Sequence, residues 1–276
     1  MKSILLFLLS LLPCFALAES QDYMTQLDNL IKESKKYDRA KEKTIARLRQ
    51  NYASHRYLPT APSRLCRTWP NLMSGEGFRG QEYNSWSTDG GNPPYHVCVL
   101  PFTRGLAGPM DFTPGIFNFH NKAVPTTHPQ TTLVKQLAEY IVLFAPWQMA
   151  ADEIENYEGQ PGFSWIETVP TNWEKTVVVN AKIGNYLTIA RRDRNSENWY
   201  LGSVTDEKPR NLDITLDFLD DGAGYMAEIY SDGEGADYRT NPYPLAYTRQ
   251  LVHKGDKLTL RLAPSGGAAI RVLKQQ

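Results

Sequence analysis

The sequence predicts an α/β plus all-β chain: a helical N-terminal segment, a loop-rich middle with one strand and one helix, and an antiparallel β-sandwich at the C-terminal end. Three observations carry this. Residues 170–276 break into eight short alternating segments divided by turn signals at a spacing of about ten residues. Residues 52–169 are punctuated by Gly, Pro, Trp and Asn, with a single stretch of helical period. Residues 19–50 form a charged amphipathic helix pattern.

The first eighteen residues read as a targeting segment. Lys2 precedes the apolar run from Ile4 to Leu12, and Ala16-Leu17-Ala18 supplies small residues before a cleavage point at Glu19. Cys14 offers a lipoprotein alternative, but Pro13 stands where that site wants a small residue. The expectation is an exported protein, periplasmic or secreted. No later apolar run approaches the roughly 20 residues that span a bilayer.

Charge excludes one partner class. The chain has 30 basic and 30 acidic side chains; cleavage removes Lys2, leaving 29 against 30 and a net charge near −1. Nucleic-acid binding rests on clustered Lys and Arg that neutralise phosphates, and this balance does not supply them. Hydrophobic residues at 41% and aromatics at 11% suffice for folded cores. Cys66 and Cys98 remain after cleavage. Paired, they close a loop of about thirty residues and stabilise by ~3 kcal/mol. Unpaired, they are two small buried hydrophobes, and the spacing does not decide between the two readings.

In residues 19–50, Met24, Leu27, Leu30 and Ile31 share a stripe that Ile45 and Leu48 continue. The many lysines and arginines between Lys32 and Arg49 fit a solvated helix face; a membrane-surface helix wants a wider apolar face. In residues 52–169, Val97 to Phe102 (VCVLPF) reads as a short buried strand ended by Pro101. Thr131 or Thr132 can cap a helix in which Leu133, Leu137, Tyr140, Ile141 and Phe144 recur up to Pro146. In residues 170–276 the strands are VVVNAKIG, YLTIARRD, WYLGSVT, LDITLDF, YMAEIYSD, YTRQLV, KLTLRL and AAIRVL. Their turns are marked by Arg194-Asn195-Ser196, Asp221-Gly222 and Lys254-Gly255-Asp256. Such a segment is expected to fold on its own.

The candidate chemistry lies between Cys66 and Phe117, where Glu76 and Glu82 stand beside glycines, an arginine and aromatics. Long aromatic loops carrying acids suit a sugar-cleaving site on a rigid scaffold. Trp69, Trp86, Tyr83 and Tyr95 are able to stack on sugars or to pack a loop core, and Asp111 in GPMDFTPG is a further acid without an assigned role. Asp232, Glu234 and Asp237 in SDGEGAD imitate an oxygen-rich metal loop, but lack EF-hand spacing and fit a polar hairpin loop better. His96, His120, His128 and His253 have no paired zinc spacing.

The words CRTWPN, GEGFRGQEYN, GGNPP, LPFTR and AGPMDFTPGIFN, in this order, resemble the end of the catalytic barrel of glycoside hydrolase family 97, bacterial calcium-dependent α-glucosidases and related α-galactosidases. The stretch WQMAADEIENY resembles the connection that follows the barrel, and residues 170–276, ending in LAPSGGAAI, resemble the family's C-terminal sandwich. The resemblance implies that residues 52–169 are a partial (β/α)8 barrel remnant. It implies hydrolysis of α-glycosidic bonds in an oligosaccharide, with Glu82 in RGQEYN as general acid. It also implies Ca²⁺ held by Glu76 in SGEGF together with Glu82, an oxygen-donor pairing that suits a hard cation.

Glycoside hydrolysis needs a second carboxylate to attack or to activate water. The family's inverting α-glucosidases place that base at the position of Leu58, in a His-Glu pair of which His55 resembles the histidine. No Asp or Glu occurs between Asn51 and Gly75. The retaining members use an Asp on an earlier strand that this chain does not show. A whole barrel takes about 250 residues, and residues 52–169 supply roughly half of that. The expectations are therefore negligible α-glucoside turnover and an apolar surface in 52–169 that the remnant cannot fully bury. The alternative is a noncatalytic carbohydrate-binding or assembly module. The sugar, the stereochemical outcome and the oligomeric state stay open.

Overall fold

The computed structural model describes residues 73–87, 90–120 and 127–275. The expected signal peptide, the 19–50 helix, His55, Leu58, Cys66 and Trp69 lie outside them, as does the side chain of Trp86.

All eight expected strands form. They are β1 (Trp173–Lys182), β2 (Tyr186–Asp193), β3 (Trp199–Thr205), β4 (Arg210–Thr215), β5 (Tyr225–Asp232), β6 (Leu245–Val252), β7 (Lys257–Leu262) and β8 (Gly267–Lys274). Six make one antiparallel sheet in the order β1-β2-β3-β8-β5-β6, and β4 pairs with β7 in a second. The register sets Leu212 opposite Leu260 and Ile214 opposite Leu258, so both strands of the small sheet turn their apolar sets to the same side. That side meets Trp199, Leu201, Ala227, Ile270 and Val272 of the large sheet in one buried core.

The opposite face of the large sheet is also buried. Leu187, Ile189, Tyr200, Val204, Tyr230 and Ala269 pack there against residues from 97 to 165. Both faces of β2, β3 and β8 are thus covered, so these strands are buried along most of their length.

The cover is built from four short helices and three 3₁₀ turns. The helices are α1 (Tyr83–Trp86), α2 (Leu133–Val142), α3 (Ile154–Tyr157) and α4 (Phe163–Thr168). Thr132 caps α2 by accepting from the Lys135 backbone N–H at 3.2 Å. Every residue of α2 is buried, its polar ones included. A Cβ on Gly202 would lie 2.5 Å from the Ala138 carbonyl oxygen, and one on Gly267 2.7 Å from the Lys135 Cα. These two bare positions on β3 and β8 let α2 sit directly on the sheet. Trp165 of α4 is fully buried, donates to the Leu137 carbonyl at 2.9 Å and meets Tyr200 and Tyr230 edge-on. The sheet covers much of this segment's apolar surface, yet Leu106 (77%), Ile154 (58%) and Trp147 (51%) stay exposed, so among the described residues the segment buries only part of it.

A correction concerns Val97 to Phe102. Instead of a strand, the run forms the 3₁₀ turns His96–Cys98 and Leu100–Phe102, followed by Arg104–Ala107. The Val99 and Phe102 N–H groups bond three residues back, to His96 and Val99. Pro101 lacks the donor a strand ladder needs, and a turn buries Val97, Cys98 and Leu100 without a partner strand. Cys98 is a buried free thiol, as in the unpaired reading, and burial pushes its pKa up to about 11. Before Trp173 the described residues contain no strand, only a single parallel bridge between Gly75 and Met110. No helix among the described residues is long and apolar enough to cross a membrane.

Candidate functional site

The Gly75–Met110 bridge brings together two loop segments that carry the acids. Beyond it, the Asp111 N–H donates to Gly75 O at 3.2 Å and the Gln81 N–H to Phe112 O at 3.0 Å. Arg104 holds the pair from beneath. Its guanidinium donates to the carbonyls of Gly75 (2.9 Å), Glu76 (2.8 Å), Gly108 (3.1 Å) and Pro109 (3.2 Å), filling one buried cation's donors with backbone acceptors from both segments. Phe78 stacks on Phe112 at 6.2 Å, and Arg104 lies over the Phe78 ring.

Glu76, Glu82 and Asp111 converge on this frame. Burial pushes Glu76 up to about 7, with Glu82 and then Asp111 adding like-charge repulsion. Asp111 is raised as well, first by burial and then by Glu82. The structure thus joins the two glutamates singled out by sequence and recruits Asp111, whose role was open. The carboxyl that burial and its neighbours lift toward neutrality is Glu76, the expected cation ligand.

Glu82 is oriented by contacts that periodicity does not reveal. Thr113, in left-handed backbone at φ 59°, donates its hydroxyl to Glu82 Oε2 at 3.0 Å. A Cβ on Gly80 would sit 2.4 Å from the Glu82 carboxylate, so this glycine is what lets Glu82 fold back over its own turn. Beneath, Gln81 and Gln136 exchange amide bonds of 2.6 and 3.1 Å, and Gln136 Oε1 also accepts from the Gly115 and Ile116 N–H groups. This amide pair fastens the acid loop to α2. The sequence carries a faint signal for it, a glutamine set among apolar residues of a fully buried helix.

Other expected residues have plainer roles. His96 Nε2 donates to the Arg79 carbonyl at 2.8 Å, which fixes its tautomer, and burial lowers its pKa. Arg79 lies over the Tyr83 ring at 4.4 Å, while Tyr95 is exposed. Asp232 is structural: Oδ1 accepts from the Thr132 hydroxyl, and Oδ2 from the Ala263 and Gly267 N–H groups. Asp237 organises a turn with Arg239 and Asn241, the hairpin reading of that loop.

Crowded carboxylates that raise one another's pKa fit a hard cation, whose charge relieves the repulsion. Among the described residues, however, no three acids, histidines or cysteines are arranged as a metal site.

Residues 172–273 match the family model described as Glycosyl-hydrolase 97 C-terminal, oligomerisation. The chain is 33% identical over 224 residues to a retaining alpha-galactosidase of Bacteroides thetaiotaomicron, covering 76% of this chain and 32% of that protein. It superposes with a TM-score of 0.73 and 48% identity on a glycoside hydrolase family 97 enzyme of Pseudoalteromonas sp. strain K8 in complex with panose, covering 77% of this chain and 33% of that one. The acarbose complex of that enzyme matches at 49% identity with the same coverage and TM-score. This chain thus spans about a third of the length of the relatives it matches. Residues 172–273 thus carry the C-terminal domain of glycoside hydrolase family 97, and the rest of the matching part is similar to enzymes of that family.

Proposed function

We propose that this chain presents the acid-bearing end of a family 97 type α-glycosidase site, with Glu82 as the general acid. The observation that carries the reading is the convergence of Glu76, Glu82 and Asp111 on the frame that Arg104 holds together. Residues 52–169 are then the C-terminal part of a glycosidase (β/α)8 barrel and residues 170–276 its sandwich domain, in an exported protein whose 1–18 segment is removed. Glu82, steadied by Thr113, donates its proton to the glycosidic oxygen as the bond to the anomeric carbon breaks. Glu76 and Glu82 would hold Ca²⁺, which would supply positive charge to the acid cluster. The panose and acarbose complexes of the Pseudoalteromonas enzyme support an α-linked oligosaccharide as substrate, and the Bacteroides relative supports an α-galactoside as the other candidate.

The partner carboxylate is not supplied between Asn51 and Gly75. General acid or base assistance is typically worth about 10²–10⁴ each, so turnover by this chain is negligible. A second reading, a noncatalytic assembly module, is favoured by the edge strand β6, which exposes Tyr247 and Leu251, and by the oligomerisation description of the matching domain.

Calorimetry with calcium chloride and aryl α-glucoside and α-galactoside assays test the proposal together. Expected is weak calcium binding that Glu76→Gln and Glu82→Gln both abolish, with no measurable turnover. Absence of calcium heat in the unsubstituted chain would remove the cation from the reading. Calcium-dependent turnover that vanishes in Glu82→Gln would keep the acid and overturn the negligible-activity reading.

A further inference from the structure

Helix α2 carries one carboxylate that the acid cluster does not use. Glu139 is 2% exposed, and its Oε2 has no hydrogen-bond partner in the protein. Asn92, 6% exposed, lines the same pocket. Its Nδ2 donates to Gly80 O at 2.8 Å, and its backbone N–H donates to Asn84 Oδ1 at 2.6 Å. Its Oδ1, like Glu139 Oε2, has no partner.

Both residues line one cavity of about 20 Å³, walled also by Gln81, Asn84, His96 and Lys135. A water needs about 10–15 Å³ of such volume and two to four polar partners, so the space suits one water and falls short of two. Buried polar atoms are nearly always satisfied by protein or by ordered water, and two orphan acceptors on one small wall are therefore a ligand signature.

We infer that this cavity binds a single ordered water that bridges Glu139 Oε2 and Asn92 Oδ1. The chemistry favours water over a cation. With Glu139 ionised, the two O–H groups of water donate to the two acceptors. With Glu139 protonated, water accepts from the carboxyl and donates to the amide oxygen. Burial pushes Glu139 up to about 8, so the second arrangement holds at neutral pH. A cation would have to bind on the same wall as the fully buried ammonium of Lys135. That ammonium is itself fixed by Pro94 O, Thr205 O and Ser265 Oγ at 2.9–3.0 Å, which leaves it no donor to turn toward Glu139. A direct Glu139–Asn92 bond is not made, since neither atom has a partner. The bridge ties α2 to the Asn92 side chain and, through it, to the Gly80 carbonyl under the turn that carries Glu82. It stands whether or not Glu82 is catalytic.

A high-resolution crystal structure of the full chain tests it directly. One solvent peak is expected in the cavity, about 2.6–3.2 Å from both atoms, ordered as well as its neighbours. An empty cavity overturns the inference. So does a peak with six or more oxygens at about 2.3–2.6 Å, the shell of a calcium-like cation. Two variants sharpen it: Glu139→Gln, which still offers a polar partner, keeps the peak, and Asn92→Leu loses it. A peak that persists in Asn92→Leu shows that the water does not bridge to Asn92.

Discussion

On one face of the six-stranded sheet, two strands with regular alternation, β4 and β7, close an apolar core; on the other, helix α2 and a run of aperiodic loops do the same work with Lys135, Gln136 and Glu139 buried among them. The first face uses shape and area alone. The second ties in most of its polar groups one by one, Lys135 with three acceptors and Gln136 with an amide partner and two backbone donors, and leaves Glu139 Oε2 without a protein partner. Only the second face carries candidate chemistry. The comparison teaches that the acid loops are not an appendage of the sandwich but the outer layer of its other core.

The strongest way to break that comparison is to remove one layer. Residues 170–276 made alone would expose Leu187, Ile189, Tyr200, Val204 and Tyr230. The expected outcome is loss of the cooperative melt or aggregation at 25 °C, followed by circular dichroism and sedimentation. A melt matching the full chain would show that the sandwich is independent, as strand periodicity alone suggests.

Next come paired truncations, one per face. Leu137→Ala in α2 and Leu260→Ala in β7 each delete a buried leucine, at an expected cost of about 2–5 kcal/mol. In urea both should shift one shared transition. If Leu137→Ala splits the curve into two steps, the layers unfold separately.

The contact between α2 and the sheet is tested by Gly202→Val. The added side chain must enter space occupied by Ala138 O and Ile141, and overpacking of this kind costs about 1–3 kcal/mol or more. Gly222→Ala meets nothing within 4 Å but is held at φ 73°, so its cost is backbone strain alone, about 1 kcal/mol.

An effect of another kind is a pH slope on the second face. Glu139 has its folded pKa pushed up to about 8 by burial, from an ordinary 4.5. Between these values the native state holds more protons than the unfolded chain, so stability falls as pH rises. Glu76, up to about 7, acts in the same direction. Urea midpoints should be lower at pH 8 than at pH 5, and Glu139→Gln should flatten most of the difference. An unchanged slope in that variant would assign it to other groups.

The fold was legible in the sequence in proportion to its periodicity. Strands such as Tyr186–Asp193 and Lys257–Leu262 coincide with the alternating words, because alternate side chains face one core or the other. The α2 cap and start were legible through Thr132. Val97–Phe102 was misread because a short apolar run fits a strand and a buried turn equally well. Glu76 and Glu82 were visible through family words, not through any spacing. Arg104, Thr113 and Gln136 were not visible, since each makes bonds to residues some 20 or more positions away, and Asn92 was not, since its bonds to Gly80 and Asn84 follow no helical or strand spacing. What joins them is the closure of the loops on the sheet, a tertiary event with no local pattern.

Native-state amide exchange tests the central claim most directly. The amides to compare are those of α2, those of β3, and the Gln81 and Asp111 amides that bond across the acid-bearing loops. If one body carries both cores, α2 should exchange at the same global free energy as β3, with Gln81 and Asp111 protected close behind. Protection confined to the strands, with α2, Gln81 and Asp111 exchanging orders of magnitude faster, would contradict the account and return the acid loops to a loosely attached layer.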